Sequence, residues 1–276
     1  MLTTPAELAH ARANPALVIV DCRFALADPA AGRKAYDAAH LPKAHFADLE
    51  QDLSGPLIKG VTGRHPLPST GSLDALFSRW GLTREASVVL YDDNGGAMAS
   101  RLWWLLRWAG LRHIALLDGG FKAWQAAGLP TTTDLPVAAA PTDFHGDYPA
   151  NALISAEDLQ AQLNTCCLID ARAEPRFRGE VEPIDPVAGH IPGARCIPYE
   201  QNLDVTGRFL PNADLRKRFE FLQDARNPVA YCGSGVTACH NLFAIHLCRL
   251  PLPRLYAGSW SEWITDTSRP IAVGPN

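Results

Sequence analysis

The chain has 276 residues, of which 47% are hydrophobic and 20% charged, a balance that suits a globular protein with a substantial core in one large or two ordinary domains. A net charge of −4 gives no general attraction to nucleic acid or to an anionic membrane, so neither is an expected partner. No run approaches the roughly 18 apolar residues of a membrane span.

In chain order, a short apolar run at 17–20 predicts a strand that ends at Asp21-Cys22-Arg23. The run is too short, and lacks the basic flank, for a secretion signal. Ala39-His40-Leu41-Pro42 follows, then a Gly- and Pro-rich stretch at 54–68 that contains His65. A second strand at 88–90 runs into Asp92, and an amphipathic helix over 97–108 puts Trp103, Trp104 and Trp108 at core spacing. Thr131-Thr132-Thr133, Ala138-Ala139-Ala140 and prolines 136, 141 and 149 read as an extended connector. Strands at 168–169 and 229–231 and a helix at 237–250 complete the pattern. Strand followed by helix throughout predicts an α/β fold with mostly parallel sheets.

The same signatures occur twice in the same order. Asp21-Cys22-Arg23 returns as Asp170-Ala171-Arg172, and Ala39-His40-Leu41-Pro42 as Gly189-His190-Ile191-Pro192. Val88-Val89-Leu90-Tyr91-Asp92 returns as Pro228-Val229-Ala230-Tyr231-Cys232, and Asp118-Gly119-Gly120 through Trp124 as Ala257-Gly258-Ser259 through Trp263. The offsets are 149, 150, 140 and 139 residues, read at Asp21, His40, Asp92 and Trp124. One domain has therefore been duplicated, and the first copy carries about ten extra residues between His40 and Asp92, in a loop where insertions are tolerated. The expected organisation is an N-terminal domain at 1–130, a linker at 131–150 and a C-terminal domain at 151–276.

The seven cysteines are odd in number and contain neither Cys-x-x-Cys nor a zinc-like His/Cys cluster, so no metal site is expected and a reducing cytoplasm is the expected setting. Most should be small buried hydrophobes. Cys232 differs. It ends a strand, and Gly233-Ser234-Gly235-Val236-Thr237 leads from it into a helix. Two glycines let such a loop curl until several amides point inward, which makes an anion nest where a thiolate is stabilised and reactive. In parallel sheets this carboxyl end of a strand is where ligands bind.

Cys-Gly-Ser-Gly-Val-Thr-Ala at 232–238 resembles the active loop of the 3-mercaptopyruvate sulfurtransferase branch of the rhodanese family. Asp170-Ala171-Arg172, Arg176-Phe177-Arg178-Gly179 and Gly189-His190-Ile191-Pro192-Gly193 resemble further family signatures. The resemblance spans both copies. It implies two tandem rhodanese-like domains, the first inert because Asp92 stands where Cys232 stands and the second catalytic. It also implies a persulfide on Cys232, cradled by Gly233, Gly235, Val236 and Thr237. The partners it implies are a small-molecule sulfur donor and a thiol or thioredoxin-like acceptor, with no cofactor.

Family members that prefer thiosulfate typically carry Arg-Lys after the cysteine, whereas this chain has Gly233-Ser234, as in the mercaptopyruvate branch. The mercaptopyruvate branch pairs the loop serine, here Ser234, with a histidine that His65 resembles and with an acid for which Asp48, Glu50 and Asp52 are candidates. Arg176 resembles the arginine that grips the donor carboxylate. The second arginine of that branch has no counterpart in 180–188. Two other readings compete. A cysteine-dependent phosphatase needs Cys-x5-Arg to clamp the oxyanion, but the position is Ala238. A non-enzymatic rhodanese-like binding module would not need the intact cysteine loop.

Overall fold

A computed structural model describes residues 1–14, 16–137 and 140–275. The described chain divides into two units. The first is Met1–Gly55, Leu67–Pro149 and Val205–Phe209; the second is Pro56–Pro66, Ala150–Asp204 and Leu210–Asn276. Most of the 54–68 stretch, His65 included, thus belongs to the second unit although it interrupts the first copy.

In the first unit β1 (Leu2–Thr3) precedes α1 (Pro5–Ala11), and α1 starts where Thr4 and Glu7 form a capping box with Pro5 in the first turn. β2 (Leu17–Asp21), α2 (Ala31–Ala38), β3 (Ala44–Phe46), α3 (Thr70–Arg79), β4 (Ser87–Tyr91), α4 (Ala99–Trp108), β5 (Ile114–Leu117) and α5 (Gly120–Ala126) follow. Their sheet has the order β1-β5-β4-β2-β3, every pair parallel. The second unit contains α6 (Ala156–Gln162), β6 (Leu168–Asp170), α7 (Glu174–Phe177), β7 (Arg195–Cys196), α8 (Asn212–Phe219), β8 (Val229–Tyr231), α9 (Ala238–Leu247), β9 (Arg254–Leu255) and α10 (Ser259–Trp263). Its order, β7-β6-β8-β9, is the first sheet without β1. A parallel bridge from Leu153 to Leu255 stands in β1's place. The α/β architecture with parallel sheets is as expected. Among the described residues no helix is long and apolar enough to cross a membrane.

The duplication extends to individual atoms. Asp21 ends β2 fully buried and takes three side-chain bonds from Arg23 (2.6–3.0 Å), which also donates to the Ala39 carbonyl. Asp170 and Arg172 repeat this against the Gly189 carbonyl. The main partner of each aspartate is therefore its arginine rather than the backbone alone. His40 stacks on Tyr36 and His190 on Phe177, each turn closed by a ring nitrogen on the backbone carbonyl of the same aromatic residue. The Trp124 indole donates to the Pro130 carbonyl and the Trp263 indole to the Pro270 carbonyl, both at 2.9 Å. These two tryptophans are fully buried and each removes about 150–250 Å² from water, on the order of 4–6 kcal/mol at 25 cal/mol/Å².

Trp103, Trp104 and Trp108 line the buried face of α4, as their spacing predicts. The connector is less free than its composition suggests. Its described part has little regular structure, but Thr132 pairs with His40, Thr142 and Phe144 take bonds to Ser78, and the Trp108 indole donates to Pro149. Ala138 and Ala139 of its alanine run lie outside the described residues. The basic run at 216–218 sits in the last turn of α8, where Arg216 and Arg218 bond to the Cys248 and Pro198 carbonyls.

Removing one member of a wholly buried ion pair leaves an uncompensated charge. Arg172→Ala is expected to lower stability by about 3–5 kcal/mol, read as a shift in the urea midpoint. A shift within experimental error would show that Asp170 does not depend on it.

Candidate active site

β8 carries the chain to the carboxyl edge of the second sheet, and Cys232 follows it at 1% exposure. The loop that begins there is pinned on both faces of its backbone. The Cys232 amide donates to the Ser259 hydroxyl at 3.1 Å, and the Cys232 carbonyl accepts from the Trp260 amide at 3.0 Å. The Gly233 carbonyl accepts from the Ser261 amide at 2.9 Å. All three partners lie in the first turn of α10. Gly235 has φ +76°, and a Cβ there would stand 2.2 Å from the Ala257 carbonyl oxygen, so only glycine lets the loop pass. Ser259 also has positive φ (56°) although it is not glycine. Its hydroxyl, donating to Tyr256 and accepting from Cys232, gives that strained residue its use.

The Gly235 amide donates to Cys232 Sγ at 3.2 Å. The amides of Gly233, Ser234, Val236 and Thr237 have no acceptor among the described residues. The loop therefore holds one amide on the sulfur and four without an acceptor among the described residues. Thr237 stands at the N-cap position of α9, the helix that begins beyond the loop, without a side-chain cap bond. Cys239, in its first turn, is fully buried with its thiol on the Gly235 carbonyl.

In the first unit, Asp92 occupies the equivalent position and fills its own nest. Its carboxylate accepts from the amides of Asn94, Gly96, Met98 and Ala99 at 2.8–2.9 Å. Asp92 thus fills its own loop with its side chain; burial pushes its pKa up and the four amide bonds pull it down.

Two neighbours of Cys232 come from Pro56–Pro66. His65 is 5% exposed, and its Nδ1 lies 2.8 Å from Ser234 Oγ. The structure thus brings together the histidine and serine singled out from the sequence. Of the acids considered for His65, Asp48 accepts from the amides of its own turn and Asp52 from the Asp48 amide.

Arg176 is held at the loop as well. It meets Glu182 in a fork (2.7–3.1 Å) and Asp185 at 3.1 Å. Sequence reasoning missed Arg64. Its amide donates to Ser261 Oγ at 3.0 Å, its guanidinium pairs with Asp185, and its Nη2 would lie 2.9 Å from a Cβ on Gly233. Burial lowers its pKa, while the Cys232 sulfur and Glu182 work to raise it. The only sequence signal was its place beside His65.

A rhodanese-like domain profile matches residues 4–127 and again 155–266. A Pseudomonas aeruginosa protein called "Probable 3-mercaptopyruvate sulfurtransferase" is 57% identical over 99% of this chain and 98% of its own. A Mycobacterium tuberculosis protein, provisionally named thiosulfate sulfurtransferase SseB, is 40% identical over 99% and 97%. Among solved structures, a 3-mercaptopyruvate sulfurtransferase from Leishmania major aligns with a TM-score of 0.82 at 33% identity, over 95% of this chain and 74% of that one.

Asp92→Ala leaves four amides of its loop without the carboxyl acceptor they share. We expect a loss of about 2–4 kcal/mol in chemical denaturation. An unchanged midpoint would mean that the loop does not depend on the carboxylate.

Proposed function

The chain belongs to the rhodanese-like domain family, and on that footing we propose that it is a sulfurtransferase that carries sulfur as a persulfide on Cys232. The observation that carries the reading is the Cys232 loop, with an amide on the sulfur and four more open beside it. The first copy (1–130) is the inert partner and the second (151–276) the catalytic one, joined through 131–150. Asp92 has no sulfur to give and fills its own nest.

The preferred donor is 3-mercaptopyruvate. Cys232 thiolate attacks the donor sulfur, the S–S bond forms and the donor C–S bond breaks. The electron pair of that bond becomes the enolate of pyruvate. The proton of the donor thiol ends on the enolate carbon, leaving pyruvate and the Cys232 persulfide anion. In this reading Ser234 donates its hydroxyl proton to the developing enolate oxygen and His65 restores it, a relay supported by the 2.8 Å between His65 Nδ1 and Ser234 Oγ. Gly233, Gly235, Val236 and Thr237 supply backbone amides for the persulfide charge. Arg176 holds the donor carboxylate through Nη1, the nitrogen left over by its bonds to Glu182 and Asp185.

In the second half-reaction an acceptor thiolate attacks the outer sulfur of the persulfide. A new S–S bond forms, the bond to Cys232 breaks, and its thiolate is regenerated. A small thiol or a thioredoxin-like protein meets that requirement; cyanide attacks the same sulfur through its carbon, forming a C–S bond and leaving as thiocyanate while the Cys232 thiolate is regenerated. The cytoplasm, with reduced thiols in supply, suits the reaction.

Thiosulfate is the second reading, favoured by the relationship to the mycobacterial protein. Against it, Gly233-Ser234 offers no cationic side chain for a compact dianion. Steady-state kinetics with cyanide as acceptor decide the point. We expect the higher kcat/KM with mercaptopyruvate and turnover with either donor abolished in Cys232→Ser. A higher kcat/KM with thiosulfate would reverse the donor assignment, and an active serine variant would overturn the sulfur-carrier reading.

A further inference from the structure

The two copies use the same histidine differently. His40 and His190 occupy equivalent turns, and each exchanges both backbone bonds with a returning segment, His40 with Thr132 and His190 with Ala272. Thr132-Thr133-Asp134 thus corresponds to Ala272-Val273-Gly274. In the first copy the returning segment also reaches the ring, since His40 Nε2 meets the Asp134 carbonyl at 2.9 Å. In the second copy Gly274 takes a positive φ of 88° and its amide donates to the Arg178 carbonyl. His190 Nε2 then has no partner among the described residues. His190 instead lines a cavity of about 440 Å³, together with Pro192, Arg195, Ala272, Val273 and Pro275.

We propose that this cavity binds a small hydroxy acid, with the carboxylate on Arg195, the hydroxyl on His190 Nε2 and an apolar body against Pro192, Val273 and Pro275. The site is separate from the Cys232 loop. Arg195 begins β7, the edge strand, which lies two places from β8 in the sheet. The proposal therefore goes beyond the sulfur-transfer reading and does not depend on it.

The histidine sets the demand for a donor. Its Nδ1 lies 2.8 Å from the Phe177 carbonyl, and a carbonyl only accepts, so Nδ1 carries a proton. Burial holds the ring's pKa below its ordinary value, against the Phe177 bond and Asp170, which raise it. A neutral ring protonated on Nδ1 presents a lone pair at Nε2. His190 is only 3% exposed, and a polar atom held in so sheltered a place calls for a hydrogen-bond partner. A ligand hydroxyl supplies one.

The arginine sets the demand for an anion. Arg195 is exposed, and its guanidinium rests 4.9 Å from the centre of the Phe221 ring. It makes no ion pair and no side-chain hydrogen bond among the described residues. A planar fork without an acid partner suits a carboxylate.

The walls narrow the class. None of the described residues lining the cavity is acidic. The ammonium of an amino acid would lose water beside Arg195 without gaining a counter-charge, whereas a hydroxyl brings no charge. Three prolyl and valyl side chains and Ala272 cover hydrocarbon, which favours an acid with an aliphatic body. The volume falls within the range of small-molecule sites, roughly 300–1,000 Å³.

Isothermal titration calorimetry of the full chain with α-hydroxyisocaproate, isocaproate and leucine tests this. The three share one carbon skeleton and differ at the α-carbon. The wild type should bind α-hydroxyisocaproate saturably in the millimolar range or below. Removing the hydroxyl should weaken binding roughly two- to tenfold, the worth of one neutral hydrogen bond, and leucine should bind no better than isocaproate. Arg195→Gln should weaken α-hydroxyisocaproate about ten- to a hundredfold, with the urea midpoint unchanged. Nitrogen NMR of the histidine rings reads the other contact without a substitution. The unprotonated Nε2 of His190 should shift when α-hydroxyisocaproate is added and stay in place with isocaproate. No saturable binding by the wild type, equal affinity for the three acids, or an unmoved His190 signal overturns the proposal. So does undiminished binding in Arg195→Gln, which would put the acid elsewhere on the chain, the Cys232 loop included.

Discussion

The site depends on the first turn of α10. Ser259, Trp260 and Ser261 bond to the amide and carbonyl of Cys232 and to the carbonyl of Gly233. These bonds engage three of the loop's backbone groups, while the amides of Gly233, Ser234, Val236 and Thr237 have no acceptor among the described residues. The same turn holds the other half of the site, because Ser261 Oγ accepts from the Arg64 amide. A Cβ on Gly63 would stand 2.4 Å from the Gly258 carbonyl, which shows how closely that segment approaches. One short helix start therefore sets both the Cys232 loop and the segment that carries Arg64 and His65.

The first copy shows what this scaffold does without a sulfur. The Phe121 amide donates to the Asp92 carbonyl as the Trp260 amide donates to Cys232. Gly120 takes the positive φ that Ser259 takes in the second copy. The turn is conserved between the copies as geometry while its contents differ. A carboxylate supplied by the chain itself neutralises one nest; a thiol, bonded to one amide, leaves the other open. Anion nests favour whatever negative charge is available, and the two loops differ in whether the chain's own side chain fills them.

Much of this was legible in the sequence. Repeats separated by nearly constant offsets gave the duplication, and Cys232-Gly-Ser-Gly between an apolar run and a helix gave the nest, because glycine spacing and strand ends are local signals. His65 could be matched to Ser234 only through family resemblance, since 169 positions separate them. Arg64 was not legible. It lies in the stretch inserted into the first copy, and its partner Asp185 is 121 positions away. The strained Ser259 was hidden for another reason: nothing in a serine announces a left-handed conformation. Asp170 illustrates a subtler limit. Its place at a strand end was plain, but its pairing with Arg172 depends on both side chains folding back into a wholly buried pocket.

Intact-protein mass spectrometry of the full chain after brief treatment with mercaptopyruvate tests the central claim most directly. The account predicts a single adduct of one sulfur, about 32 Da, located on Cys232, removed by cyanide and absent from Cys232→Ser. An unmodified protein that nonetheless turns over, or an adduct that persists in the serine variant, would contradict it.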